Sequence, residues 1–455
     1  MDIEKLREER AQNDHDLLYN VIPKRVPINI SIGMNAIAEY AGIDPKLAYW
    51  DNGVLEEKVD EFCNMIPSDV CLLGRSVLSP TKYQALGSRA VVMGADGFMQ
   101  HPNTHMMEPE EYDEFIKDPY AFIVEKAVPR VNENLDISKN PSRATMAIAQ
   151  ANQVSASVAA KSGPMMARLA KKYGYVSKTA RGSGAYAPMD ILSDQLRSFS
   201  GMSTDIRRYK SKVKEAVEAV SPLNLYIGTP FDPKTITRDA YGFYPFHMAT
   251  FMRPKDFEEL WWPALQRQWN DLAAIGCRCG AFLEDKWDHL LDYVQDLPTG
   301  SFFTFEYCDP KSIKEKLGKK FVLSSGFPVA YVTQCSKDEV IGKTKDWLDI
   351  MAPGGQYAFG FDKSILTMAD CNLDNLKAIA ETVLEYGVYS NAGQSTGEVY
   401  NQADYIKSDL PAFTSRCYKT WEEYKAENPN TPEEAKMSVM AGEDAMVRFY
   451  YGLLQ

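Results

Sequence analysis

Short apolar runs ending in glycine or an acid recur along the chain, each followed by a stretch with helical spacing. That alternation is the βα signature of a parallel sheet. Eight runs stand out as strands, at 26–33, 69–74, 174–182, 242–248, 277–284, 301–308, 320–326 and 356–361. The last four are the cleanest: CRCGAFLE, SFFTFEYC, KFVLSSG and QYAFGF are short, apolar and bounded by turn residues. Between them, SKDEVIGKTKDWLDIM opens on a Ser N-cap with acids in its first turn, and LDNLKAIAETVLEYGVY stops near Gly387. Eight βα units predict a (β/α)8 TIM barrel. A doubly wound sheet is the alternative, but no G-x-G-x-x-G follows the first strand to favour it.

Two regions break the repeat. Residues 75–140 form a long insertion after the second strand, Met-rich at first and then acidic and helical in EPEEYDEFIKDPYAFIVEKAV. Residues 391–455 follow the last barrel helix and read as a C-terminal extension packed on the barrel, with Thr431 and Pro432 marking a helix start. The barrel itself, insertion included, spans 1–390.

Composition narrows the class. The 455 residues are 45% hydrophobic and 25% charged, as in soluble globular proteins. Net charge is −12, from 50 basic and 62 acidic residues. An acidic surface makes nucleic acid and anionic membrane poor partners. No apolar run approaches the roughly 20 residues of a membrane span. MDIEKLREER has no apolar signal segment, and eight scattered cysteines read as reduced thiols, so a cytoplasmic location is expected.

Barrel enzymes carry their reactive groups at the C-terminal ends of strands. His247 ends the fourth strand, Glu284 the fifth, Glu306 and Asp309 the sixth, and Asp362 follows the eighth. These predict a metal or acid–base site, with His247, Glu284, and Asp309 or Asp362 holding one zinc ion with an open position. Helix capping is the alternative for Glu284 and Asp362, and a satisfied core position is the alternative for His247. Glu284 stands out because it ends an apolar strand, where an unpartnered charge costs several kcal/mol.

Other residues enter by position. His101, in MQHPNTHMM of the insertion, lines a lid or the site; Pro102 and Asn103 argue against pairing it with His105 on a helix. Arg75 and Arg181 follow the second and third strands and could hold a substrate carboxylate, or form internal salt bridges. Tyr186, Phe243 and Tyr307 crowd the same strand ends and suggest a pocket for a flat ligand. Cys277 and Cys279 form a C-x-C pair at the far end of the fifth strand and read as packing; Cys308 is the cysteine beside Glu284 and Asp309.

APMDILSDQLRSFSGMSTDIRR (187–208), FYPFHMATFMRPKDFEELWWPAL (243–265), FLEDKWDHLLDYVQDLPTG (282–300) and PGGQYAFGFDKSI with its following NLDNLKAIAETVLEYGVY together resemble the uroporphyrinogen decarboxylase superfamily, over most of 170–390. Members are (β/α)8 barrels. The decarboxylases carry an N-terminal arginine-bearing motif; here that region reads INISIGMNAIAEYAG, without arginine. The other branch contains corrinoid-dependent methyltransferases with a His-x-Cys zinc motif on the fifth strand and a late Cys. Phe282 and Glu284 stand at the first two of those positions and Asp362 at the third. The remaining likeness is to the methyltransferase component of anaerobic O-demethylases, in which a strand-five glutamate and a Pro-x-His are typical; these are Glu284 and His247. The resemblance implies methyl transfer from a small methoxylated, aromatic compound to a cobalamin-binding partner protein. A cofactor-independent decarboxylase of a small carboxylated substrate is the alternative, and a non-catalytic binding member is the third.

Overall fold

Five of the predicted strands pair in a single parallel sheet. The computed structural model describes residues 2–74, 80–102, 104–176 and 184–454. The strands are β1 (Gly242–Phe246), β2 (Cys279–Lys286), β3 (Phe302–Tyr307), β4 (Val322–Ser325) and β5 (Tyr357–Ala358), side by side in chain order. Parallel neighbours need a crossover between them. Helices supply it, among them Trp262–Ala274 between β1 and β2, Pro310–Leu317 between β3 and β4, and Lys337–Met351 between β4 and β5. The last has a full capping box, with Ser336 and Glu339 exchanging hydrogen bonds.

Both faces of β2 to β5 are largely covered, which explains their near-continuous apolar runs. On β1, Tyr244 and Phe246 turn toward the helices, where Phe246 meets Trp261 edge-on at 5.0 Å and Trp269 stacks on Phe303 at 5.8 Å. Phe243, one residue out of phase, faces the other way and stays exposed.

The fold is thus mixed α/β. Among the described residues the parallel sheet has five strands, not the eight expected. The first two predicted strands join through single parallel bridges rather than ladders: Ile28 to Phe359, and Ile32 to Ile365 and Leu73. Of the third, Gly174–Val176 are described, and the Val176 N–H donates to the Asp69 carbonyl at 3.2 Å. The rest of that run, with Arg181, and the start of the insertion, with Arg75, lie outside the described residues.

Asp69 fastens this part of the molecule. Its buried carboxylate takes two hydrogen bonds from Arg25, at 2.7 and 2.8 Å, one from Arg10 at 2.9 Å and one from the Ile28 N–H at 2.8 Å. Arg10 comes from the N-terminal helix Ile3–Leu18, so one carboxylate ties that helix to the first two extended runs.

The insertion is docked rather than loose. The Met106 and Met107 N–H groups both donate to the Leu196 carbonyl, at 2.8 and 2.9 Å, and Arg130 holds Glu111 in a two-pronged pair at 2.7 and 2.8 Å. The C-terminal extension ends in helix Lys436–Tyr451, whose Arg448 donates to the Ile227 and Thr229 carbonyls at 2.8 Å each. Tyr451 reaches inward, donating to Asn224 and accepting from the Tyr186 N–H. Tyr186 is therefore packed beneath the extension, with its ring beside that of Tyr451.

Candidate active site at the strand ends

The chain just after residue 187 forms one short turn, Pro188–Asp190, then widens into a π-helical segment, Ile191–Leu196. The Arg197 N–H reaches back five residues to the Leu192 carbonyl at 2.8 Å. Such widened turns are rare and concentrate at functional sites. Here the segment presents Asp190 and Asp194, four residues apart, to the end of β1.

Asp190 is fully buried and acts as a clamp. It accepts the His247 N–H at 3.2 Å, the Met248 N–H at 3.4 Å and the Trp261 indole N–H at 2.7 Å. Burial, then the neighbouring Asp194 charge, pushes its acid form up to about 7, against the pull of His247 and the Trp261 hydrogen bond. The clamp fixes the backbone from which His247 projects.

The His247 ring is held at both nitrogens. Nδ1 is hydrogen-bonded to Asp194 Oδ2, and Nε2 lies 3.1 Å from Glu284 Oε2. Burial favours the neutral ring, but the Asp194 hydrogen bond and the charges of Asp194, Asp190 and Glu284 outweigh it and raise His247 to about 9. Glu284 is raised above the usual carboxylate range by burial first, then by the charges of Glu306, Asp194 and Asp285, with His247 opposing. The arrangement is carboxylate, imidazolium, carboxylate, with the outer member half-exposed.

The position of Glu284 depends on an irregularity in β2. The register against β3 slips between Leu283 and Lys286, and Asp285 takes φ = +61°. Bulges of this kind re-aim a side chain at a strand end. The left-handed residue is held by its neighbour, because the Asp285 N–H donates to Glu306 Oε2 at 2.7 Å. The other Glu306 oxygen meets Lys363 Nζ at 2.8 Å, and that ammonium also donates to the Tyr307 hydroxyl at 2.5 Å.

Asp309 and Asp362 do not join His247 and Glu284. Asp309 caps helix Pro310–Leu317, accepting from the Ser312 hydroxyl at 2.6 Å and N–H at 3.0 Å, which hold it below the usual carboxylate range. Asp362 accepts the Val329 and Lys363 N–H groups, at 2.8 Å each. Among the described residues no group of three or more His, Cys, Asp or Glu side chains is placed to hold one metal ion. A zinc held by His247, Glu284 and either Asp309 or Asp362 therefore does not fit the described residues: the first two converge, and both aspartates are engaged elsewhere.

His101 lines a cavity of about 280 Å³ with Asp194, Thr104, Met106, Phe199 and Leu454. The insertion, the widened turn and the extension thus meet beside the Asp194–His247 pair. Burial lowers His101 below the ordinary imidazole value. Phe243 and Tyr307 are exposed, whereas Tyr186 is covered. Phe199 and Phe251, absent from the sequence reading, pack edge-on at 5.0 Å and still remain 42% and 59% exposed. That much uncovered aromatic surface beside a buried charge system suits a flat apolar ligand.

Asp190, Asp194 and Lys363 were also missed. The signal for the acids was present as two Asp four apart in the otherwise apolar PMDILSD. A scan against protein-family models returns no match, and a search of curated proteins returns none.

Proposed function

We propose that the chain is a (β/α)8 member of the uroporphyrinogen decarboxylase superfamily that removes the methyl group of a small methoxylated arene and delivers it to a cobalamin-binding partner protein. The observation that carries this reading is the Asp194–His247–Glu284 line, a cationic acid held at the end of β1. Closure of the barrel is supported by two hydrogen bonds that flank the third run. Val176 N–H donates to Asp69 on one side, and Ala185 N–H donates to the Phe243 carbonyl at 3.1 Å on the other. Together they bring the two described ends of that run beside the second run and β1.

An aryl methyl ether resists demethylation because its leaving group is a phenolate, whose conjugate acid has a pKa of about 10. A general acid is most effective when its pKa is close to that of the group it protonates and to the working pH. His247, at about 9, lies close to the first and remains protonated at neutral pH. In the proposed step the methyl–oxygen bond breaks with its electron pair staying on oxygen, and that oxygen takes the Nε2 proton of His247. A reduced corrinoid on the partner supplies the electron pair that takes up the methyl group. Asp194 keeps the Nδ1 proton in place, so the ring becomes a neutral imidazole of defined tautomer. Half-exposed Glu284 then returns a proton from solvent. Phe199, Phe251 and Tyr307 offer aromatic surface for the ring of the substrate and for the approaching corrinoid.

Mixing the protein with a reduced corrinoid protein and a panel of methoxylated arenes is the test. Release of a phenol in step with loss of the reduced corrinoid absorbance is expected. Carbon dioxide release from a carboxylated compound, with no phenol from any ether, would replace this reading by a decarboxylase.

A pH profile follows from the same pair. The acid form of His247 is present below about pH 9 and lost above it, so the rate falls as pH rises through about 9. Its contribution to folding runs the same way: present in full below the ordinary histidine value of about 6.5, and lost as pH rises through about 9. Asp194→Asn removes the charge and leaves only a neutral acceptor at Nδ1, so the basic limb should move down from about 9. A limb that stays near 9 in this variant would mean another group carries the proton.

A further inference from the structure

A π-helical turn is rare, and one that persists is held by contacts from outside it. In Ile191–Leu196 the Arg197 N–H closes the wide ring onto the Leu192 carbonyl, and Asp194 lies inside that ring. Exchanging this bond for an α-helical one would turn the chain on one side of it by about 100° against the other. The aim of Asp194 at His247 therefore depends on what keeps the ring wide.

The hold comes from the insertion and from the next helix, Phe199–Arg208. Besides the Met106 and Met107 N–H groups on the Leu196 carbonyl, the Arg197 guanidinium forks onto Asp205 of that helix. Nε donates to Oδ2 at 2.6 Å and Nη2 to Oδ1 at 3.4 Å, while Nη1 donates to the Met107 carbonyl. Tyr112, which opens insertion helix Tyr112–Lys117, donates its hydroxyl to the same Asp205 Oδ2 at 2.9 Å. All three side chains are buried, where such charge-assisted bonds are strong and water does not compete for them. The residue that joins the turn to the helix is Ser198, at φ = +61° and ψ = 161°. An L residue keeps that conformation only where its surroundings enforce it. Insertion, turn and helix are thus locked together just past Asp194.

We propose that Arg197, Asp205 and Tyr112 are positioning residues, a latch by which the insertion keeps the turn wide and Asp194 on His247. They act through Asp194 and not on the substrate. The proposal rests on the acid role given to His247, but the state of the latch can be read with no substrate present. The charged groups that face the His247 ring are Asp194 and Asp190 from the turn and Glu284 from β2, and the latch governs the turn. Burial lowers His247, and the Asp194 hydrogen bond is foremost among the contacts that raise it. A slackened latch weakens that bond, so the ring gives up its proton at lower pH.

The test is an NMR titration of the full chain carrying isotopically labelled histidine. The signals of His247, one of five histidines, are identified by their loss in His247→Asn. In wild type the ring should titrate near pH 9. Arg197→Lys keeps a cation for Asp205 but cannot fork onto it and reach the Met107 carbonyl as well. Its His247 midpoint should fall by about one pH unit or more, a tenfold weaker hold on the proton. Tyr112→Phe removes one hydroxyl and keeps the ring, which gives a second reading where Arg197→Lys fails to fold. Its midpoint should move the same way by less. A midpoint that stays near 9 in every variant that folds, even one with a lowered unfolding temperature, would overturn the latch and leave these residues a structural part alone. Lowered midpoints support it even where wild type releases no phenol, a result that counts against the proposed reaction and not against the latch.

Discussion

His247→Asn lowers the rate of phenol release at neutral pH by about 10²–10⁴-fold, the span over which a positioned general acid acts. Asparagine keeps a polar group against Asp194 but cannot deliver a proton of suitable acidity to the leaving oxygen. The backbone is unaffected, because Asp190 grips the His247 and Met248 N–H groups and not the ring. Glu284→Gln should cost less. It retains a polar contact to Nε2 but removes one of the charges that raise His247, so the basic limb of the rate moves down. Single-turnover mixing with a reduced corrinoid partner measures both. A His247→Asn protein that keeps more than about a tenth of the wild-type rate, a drop well short of the expected span, would remove His247 from the acid role. Thermal unfolding of each variant, measured alongside, separates the loss in chemistry from the loss in folding.

Asp69→Ala destabilises the chain by about 3–5 kcal/mol, the cost of breaking a buried ion pair and leaving its partner charged. Two arginines lose their acceptor at once, and the Ile28 N–H loses its own. Neither guanidinium can shed its charge, and both are largely buried. Burial works against the Asp69 charge, yet Arg25 above all, then the Ile28 N–H and Arg10, hold it below the usual carboxylate range. Its stabilisation is therefore present above the unfolded value of about 3.9 and lost as pH falls through the lower folded one. Denaturant unfolding at neutral pH and in acid measures this. The variant should be much weaker than wild type at neutral pH, with the gap narrowing in acid. A loss under about 1 kcal/mol, below the range for a broken buried pair, would mean the arginines find other acceptors.

The contrast between these two sites shows how unevenly the molecule can be read from its residues. β3 and β4 fall within, and β2 largely within, runs visible as FFTFEY, VLSS and CGAFLE, because a strand covered on both faces must be apolar over a short contiguous stretch. The helix at 337–351 was equally plain from its Ser336 cap and spacing. These features are local, so local sequence determines them. His247 and Glu284 could be named for the same reason: each terminates such a run, and strand ends are where a parallel sheet exposes its chemistry.

How those two side chains are held was decided by partners distant in the chain. Asp194 reaches His247 from 53 positions away, through a π-helical turn whose extra residue per turn leaves no periodic trace. Asp309 and Asp362 carry the same carboxylate as Glu284 and sit at equivalent places in the pattern. Whether such a group caps a helix or faces a reacting atom depends on which N–H groups the fold brings within 3 Å, and Ser312, Val329 and Lys363 claimed these two. Asp69 likewise looked like the start of an ordinary strand until Arg10 and Arg25 were folded onto it. Periodicity records which face of an element is buried, and so sequence alone located the five strands of the sheet but not their exact ends. A charged side chain takes its role from the groups that desolvate and pair it, and those are brought together by tertiary packing alone.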